Sequence, residues 1–357
     1  MSSNHSRDVS PGQSAGLPQP TRSVVVIGCG GRGRAHAEGW QQDARSQLVA
    51  CADPVEASRD AFCERFGPMK TYADYRQMLT AESPDIASVC TWPGMHREMI
   101  EAAAGAGVKG IFSEKPMAPT WGDARAIHDV CAKTGVVLTF CHQRRFGENF
   151  ATARALVRDG TIGQLRRIET TCSNLFDWGT HWFDISFFYN DEAPVDWVMG
   201  QIEVAEERGI FDVRLETSGL SWFRFANGVE GLMATGAAAY AGPHNRLIGS
   251  DGVIEVHAGR REDPLRLWRG TTWQTPAFTD GVPVGEHTIA SCRDLLDSLD
   301  TGAEPELSSR KALQATQLIF ATYESSRRRG RVQLPLNTLD SALLSMLADG
   351  TIGGNTT

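Results

Sequence analysis

No stretch of this sequence approaches the ~18 consecutive apolar residues that a membrane-spanning helix needs. None of its eight cysteines (29, 51, 63, 90, 131, 141, 172 and 292) forms a C-x-x-C pair. Scattered as they are, four of them in apolar segments, they read as packed, reduced thiols rather than a disulfide framework or a zinc site. Positive charge is not in excess either: Lys and Arg total 35 against 43 Asp and Glu, a net charge of −8. Nucleic acid and anionic membrane are therefore not expected as partners, because phosphate backbones are met by clustered cations. The one basic run, Arg327-Arg328-Arg329, reads as a solvated helix end. There is no internal repeat, no Ser/His/Asp elbow and no metal-ligand spacing, so no metal is expected. Residues 1–21 are rich in Ser, Pro, Gly and Gln and contain no apolar h-region, so a disordered lead-in is expected rather than a secretion signal. These absences leave a globular, cytoplasmic protein as the expectation.

What is present is ordinary in amount: 357 residues, 41% apolar and 22% charged. At roughly 150 residues per domain that suggests two domains or three. Ser23–Ile27 is a β-branched run with the continuous apolar character of a strand buried on both faces. Further strands are expected over Gln47–Ala52, Ile86–Thr91, Val108–Ser113 and Val136–Cys141, with helices between them at Arg34–Gln42, Val55–Phe66, Tyr72–Leu79, Met95–Ala104 and Trp121–Lys133. Such alternation means βαβ units and a parallel sheet covered by helices. Beyond His142, strands follow one another through turns such as Asn227-Gly228 and Asp251-Gly252, the pattern of antiparallel hairpins. Late helices are expected over Thr288–Leu299 and Arg310–Arg327. The expected fold is α/β: an N-terminal Rossmann dinucleotide-binding domain over 22–142, then an α+β domain with an open, mainly antiparallel sheet over 143–336, and a tail over 337–357.

Gly28-Cys-Gly30-Gly31-Arg32-Gly33 follows the first strand and opens a helix, and Asp53 ends the next strand. The first glycine makes the tight turn, the second lets a pyrophosphate approach the backbone, and the third lets helix and strand pack closely. The helix N-terminus offers free N–H groups to phosphate. Asp53 suits the adenosine ribose hydroxyls and would repel a 2′-phosphate, which favours NAD over NADP, although Arg32 and Arg34 leave room for the latter. Glu114-Lys115-Pro116 sits past a strand, at the carboxyl edge where open α/β sheets bind ligands. Asp177, His181 and Asp184 fall at i, i+4 and i+7, one face of a helix, in a segment carrying Trp178 and Trp182. Either they line a polar pocket, or His181 is a core histidine capped by Asp177.

Taken in order, Gly28–Gly33, Thr91-Trp92-Pro93-Gly-Met-His96, Glu114-Lys-Pro116, Arg144-Arg-Phe146, Ile162-Gly163 and Asp177-x-x-x-His181 resemble the glucose-fructose oxidoreductase / inositol dehydrogenase / rhizopine catabolism (Gfo/Idh/MocA) family. Gly249–Ile254 and Val332–Pro335 add to a resemblance that spans about residues 22–336. It implies a sugar, polyol or cyclitol dehydrogenase with Lys115, Asp177 and His181 as its catalytic group. Gly28, Gly30, Gly31, Arg32, Gly33, Asp53, Thr91, Trp92, Pro93, His96, Glu114 and Lys115 would lie at the cofactor. Arg145, Trp178 and the catalytic trio would lie at the substrate, and a homodimer or homotetramer would form through the open sheet. This sequence departs from the family in having Trp92-Pro93 where a Pro-Asn pair is frequent, and Asn174-Leu-Phe where a Gly-rich stretch is.

Hydride loss from a carbinol carbon requires a proton to leave its oxygen. His181 is the expected base, because an unperturbed imidazole titrates near neutrality. Asp177 would orient its ring and favour its charged form, and Lys115 would donate to the developing alkoxide. The residues equally allow lysine and histidine to exchange these roles. Specificity is expected in the loops 144–149 and 240–246. Two other reaction classes use the same residues: a redox-assisted lyase or glycosidase in which no NADH accumulates, and a non-catalytic NAD sensor.

Overall fold

The computed structural model describes residues 21–237, 239, 242–258 and 263–353. The expected lead-in over 1–20, Tyr240 and Ala241 of the second specificity loop, and residues 354–357 of the expected tail lie outside them.

The first part of the chain alternates β1 (Arg22–Ile27), α1 (Gly31–Gln41), β2 (Ser46–Ala52), α2 (Glu56–Phe66), β3 (Lys70–Tyr72), α3 (Tyr75–Glu82), β4 (Ile86–Val89), α4 (Pro93–Gly105), β5 (Gly110–Ser113), α5 (Trp121–Thr134) and β6 (Val137–Phe140). Its strands form one parallel sheet in the order β3-β2-β1-β4-β5-β6. The order reverses between β1 and β4, and there the carboxyl ends of the strands leave a crevice. Val24, Val25 and Val26 are fully buried, as a central strand covered on both faces requires. The expected helix Tyr72–Leu79 is instead the last residue of a short edge strand followed by a later helix. The reason is local: the Asp74 carboxylate accepts from the Arg76 N–H at 2.8 Å, capping α3, so the helix starts after it.

After a single turn of 3₁₀-helix at Gln143–Phe146, the chain forms α6 (Glu148–Arg158), β7 (Leu165–Cys172), α7 (Gly179–Tyr189), β8 (Val195–Glu203), a small hairpin of β9 (Gly209–Ile210) and β10 (Val213–Arg214), β11 (Ser218–Phe225), β12 (Glu230–Thr235), β13 (Asn245–Gly249), β14 (Val253–Val256), β15 (Leu265–Arg269) and β16 (Thr272–Gln274). Then come α8 (His287–Thr301), α9 (Ser309–Arg328), β17 (Val332–Gln333) and α10 (Ala342–Ala348). A nine-stranded sheet runs β16-β15-β14-β13-β7-β12-β11-β8-β17, and among its pairs only β12 with β7 is parallel. Asn227-Gly228 and Asp251-Gly252 make the expected hairpin turns between β11 and β12 and between β13 and β14.

All residues of α7 are buried. It packs on α9 and β7, while α9 lies along β8, so these two helices cover one face of the sheet. The opposite face leaves Met199, Leu220 and Trp222 exposed. Helix α8 follows the second sheet in sequence but packs on the first: Cys292, Leu295 and Leu296 join Val24, Trp40 and Phe112 in one buried cluster. Arg45 of the first sheet's loops ties this helix down through Asp297 at 2.7 Å and Asp300 at 2.8 Å.

Candidate active site

Four loops leave the carboxyl ends of β1, β4, β5 and β6 and meet at the crevice. In the first, Gly28 has φ +95°, and a Cβ there would stand 2.7 Å from the Cys90 carbonyl oxygen. A Cβ on Gly33 would stand 1.9 Å from the Gly28 carbonyl oxygen, so only glycine lets α1 pack this close. Gly30 and Gly31 differ: a Cβ on either meets nothing within 4 Å. They face open space at the start of α1, whose N-terminal N–H groups carry no side-chain cap. The Asp53 carboxylate holds the loop, accepting from the Cys29 N–H and the Val55 N–H, both at 2.9 Å. A glycine cradle with room at its mouth, bare helix N–H groups and a carboxylate at the next strand end fit a dinucleotide.

Arg32 reaches from this loop to the third one. Its Nε lies 2.5 Å from Glu114 Oε1, and its Nη2 is 3.4 Å from the Cys141 sulfur. His36 Nε2 is 2.9 Å from the same carboxylate oxygen, and its Nδ1 is 2.8 Å from the Ser88 hydroxyl. Burial alone would raise the Glu114 carboxyl, but the His36 hydrogen bond and the Arg32 charge prevail and hold it at about 2. Burial pushes His36 below its ordinary value, so the neutral ring donates from Nε2. His36, Glu114 and Cys141 place donor atoms within 4.8 Å of one another. The cation in that nest is the Arg32 guanidinium.

The second loop starts α4 with Trp92, half exposed, and Pro93 at its first position. Thr91 and His96 close it from below. His96 is fully buried, with Nε2 3.1 Å from the Thr91 carbonyl and Nδ1 3.1 Å from the Met117 carbonyl. It ties this loop to the segment after Lys115.

Lys115 Nζ lies 2.6 Å from Asp177 Oδ1 and 3.2 Å from the Asp177 carbonyl oxygen. Asp177 precedes α7 rather than lying on it, and its place comes from Asn174, whose side-chain oxygen accepts from the Asp177 N–H at 2.6 Å and the Trp178 N–H at 3.2 Å. The expected orientation of His181 by Asp177 does not occur, because Lys115 takes the carboxylate. His181 is buried and its Nδ1 has no hydrogen-bond partner. Burial first, then the charges of Arg144 and Lys115, hold its imidazole well below 6.5, so the ring is neutral rather than charged. The His142 ring stands beside it, centroid to centroid 5.7 Å, with Nε2 3.0 Å from the Thr180 hydroxyl and Nδ1 3.4 Å from Asp184.

Arg145, expected at the substrate, is not there. Its guanidinium has no exposed surface and is engaged by Asp184 at 2.8 Å, Glu192 at 2.5 Å and Glu306 at 2.8 Å. The neighbouring Arg144 lies over two tryptophans instead, its Cζ 5.3 Å from the Trp178 ring centroid and 4.5 Å from that of Trp182. Trp182 is fully buried, while Trp178 is partly exposed. The ion partners of Arg145 come from three distant segments, so nothing local in the sequence separated the two arginines. Asn174 and His142 were missed as well, although an Asn just before a helix is a capping signal.

The strand order with its reversal at β1/β4, a glycine cradle at that point, and a lysine after β5 that meets the carboxylate ahead of the histidine-bearing α7 fit a dinucleotide-dependent oxidoreductase. Residues 22–142 match the Gfo/Idh/MocA oxidoreductase family, described as having an NAD-binding Rossmann fold. D-apiose dehydrogenase of Paraburkholderia graminis is 26% identical over 368 aligned positions, covering 92% of this chain and 94% of that protein. Myo-inositol 2-dehydrogenase of Thermotoga maritima is 27% identical over 250 positions, 65% of this chain and 74% of that protein. The solved structure of levoglucosan dehydrogenase in complex with NADH and levoglucosan superposes with a TM-score of 0.77 at 20% identity, covering 88% of this chain and 100% of that one. Among the described residues, no helix is long and apolar enough to cross a membrane.

Proposed function

We propose that this protein transfers a hydride between a secondary hydroxyl of a sugar, polyol or cyclitol and NAD. The observation that carries the proposal is the Lys115–Asp177 pair at 2.6 Å beside a buried neutral histidine with a free ring nitrogen. Bound nicotinamide supplies the hydride acceptor. Gly28, Gly30, Gly31 and Gly33 shape the pyrophosphate seat, and Asp53 takes the adenosine ribose. Trp92, Pro93 and the Thr91 backbone wall the nicotinamide end, while Arg32 and Glu114 hold the glycine turn to the lysine-bearing loop. Lys115 donates a hydrogen bond to the substrate oxygen, stabilising charge that grows as the proton leaves. His181, neutral and therefore able to accept, takes that proton. Asp177 positions the lysine, and Trp178 offers a ring face to the sugar.

Relatives named as dehydrogenases support net oxidation over elimination. Eight free cysteines, seven of them on described strands and helices or their ends, suit a reducing cytoplasm. The row Met199–Trp222–Leu232, directly cross-strand on β8, β11 and β12 and exposed at Met199 and Trp222, supports self-association through the open face. The deciding assay is NADH absorbance with a panel of polyols and sugars. Turnover that persists in Lys115→Met and His181→Ala would overturn the assignment of roles, and cofactor that copurifies without any NADH release would favour the lyase class.

A further inference from the structure

We infer that the substrate of this site carries a carboxylate and that Arg144 receives it. The inference rests on the dehydrogenase reading and adds to it the substrate class, a sugar acid.

Among the described residues, no carboxylate answers the charge of Arg144. Its guanidinium lies against the faces of Trp178 and Trp182, and its Nε is buried without a hydrogen-bond partner. Among the described residues no carboxylate and no hydrogen-bond acceptor meets it. The charged side chains nearest it in the chain or at the lysine are paired: Lys115 with Asp177, Arg32 with Glu114, and Arg145 with Asp184, Glu192 and Glu306. Arg144 is half-buried, and a partly desolvated charge without a partner is costly. Neutralisation does not relieve it. Burial lowers the guanidinium to about 10, which leaves it protonated at physiological pH.

The position is that of a substrate group. Arg144 stacks over Trp178 and Trp182, the two tryptophans that flank His181 in the chain. Trp182 lies on the same helix as His181, and Trp178 just ahead of it. A guanidinium held over two tryptophan rings presents a fork, which a carboxylate matches with two parallel N–H bonds. One uncompensated cation suits a monoanion. A phosphate ester dianion would need a second free cation, and Lys115 is already paired. The ligand therefore bears a carboxylate at one end, on Arg144, and a secondary hydroxyl that reaches Lys115 and His181: a uronate or an aldonate.

The test compares matched probes in NADH formation: D-glucose, D-glucuronate, D-gluconate and D-glucose 6-phosphate, and D-galactose against D-galacturonate. The wild type is expected to favour the acid of a pair by about 30-fold or more in kcat/KM, as a charge-assisted bidentate contact implies. In Arg144→Gln this acid-to-neutral ratio should collapse to near one, and Arg144→Lys should restore only part of it. Calorimetry of the same probes on the wild-type protein–NADH complex needs no variant and should show tighter binding of the acid. Equal kcat/KM or affinity for acid and neutral sugar, preference for the phosphate ester, no binding of any acid probe, or a ratio that survives Arg144→Gln each overturns the inference. Turnover of neutral sugars alone overturns it while leaving the dehydrogenase reading intact. Tighter acid binding to the NADH complex without turnover of any probe upholds Arg144's role and counts against that reading.

Discussion

The Lys115 amine and the Asp177 carboxylate meet at 2.6 Å across 62 positions of sequence, joining the loop after β5 to the start of α7. The amine is held a second time by the Asp177 carbonyl oxygen at 3.2 Å. The two members should therefore respond differently to substitution. Lys115→Met removes the donor to the developing alkoxide, and a loss of about 10³-fold in kcat/KM is expected. Asp177→Asn keeps an oxygen and the backbone contact in place but removes the charge, so the loss should be smaller, about 10- to 100-fold. Steady-state kinetics with NADH readout compares them, and equal losses would contradict a positioning role for Asp177.

His181 has its proton affinity lowered well below the ordinary 6.5 by burial and by neighbouring cations. A base already neutral at pH 6.5 does not lose activity there. The kcat/KM profile on the acid side should stay level through pH 6.5 and turn down only at a lower pH, whereas an unperturbed histidine would halve the rate at 6.5. A profile that bends at 6.5 would show that the ring is not in this environment when substrate binds.

The same burial makes stability depend on pH. His36, His96, His142 and His181 are all buried, and burial holds each below 6.5. Below pH 6.5 the unfolded chain binds protons that the folded one does not. Their contribution to stability is thus present above 6.5 and falls as the pH drops toward the folded values, by up to ~1.4 kcal/mol per pH unit for each ring. Urea midpoints measured from pH 7.5 down to 5 should fall steadily below 6.5. A flat response would mean that the rings are solvated.

Two glycines of the same turn separate folding from cofactor binding. Gly33→Ala puts a Cβ 1.9 Å from the Gly28 carbonyl oxygen, a collision with backbone that should cost about 3 kcal/mol of stability. At Gly30 the backbone φ is −73° and a Cβ meets nothing within 4 Å. Gly30→Ala should therefore melt with the wild type while binding NADH about 10-fold more weakly or worse, because the methyl occupies the pyrophosphate's path. Thermal denaturation with and without NADH distinguishes the pair. Equal NADH affinity in Gly30→Ala would remove the pyrophosphate from this cradle.

The first sheet was legible because its signals are local: β-branched runs ended by glycine, a turn whose three glycines each have a steric or phosphate-binding reason, and an aspartate at the next strand end. β3, β15, β16 and the β9–β10 hairpin were not, since strands of two to five residues on or near sheet edges carry too little periodicity to be read. In the site, Lys115, Asp177 and His181 stood out, but their pairing did not. Helical spacing put Asp177 over His181, whereas Asn174 caps the chain so that Asp177 precedes the helix and turns to Lys115. The adjacent arginines 144 and 145 differ through Asp184, Glu192 and Glu306, which lie 39, 47 and 161 positions away.

Those distant partners make Arg145 a residue of stability. It is fully buried, with Asp184 on two of its nitrogens at 2.8 Å, Glu192 at 2.5 Å and Glu306 at 2.8 Å, linking the turn after β6 to α7, to the loop after it and to the loop between α8 and α9. Arg145→Leu would leave Asp184 buried beside Glu192 with no cation between them. Burial would oppose the charge of each carboxylate, and a loss of about 3–5 kcal/mol is expected. Adding Asp184→Asn to Arg145→Leu should recover part of that loss, since one of the stranded charges is removed, and the two changes should couple strongly rather than add. Chemical denaturation of the two single variants and the double variant measures the coupling. Additive losses would mean that the guanidinium and the Asp184 carboxylate do not share one network.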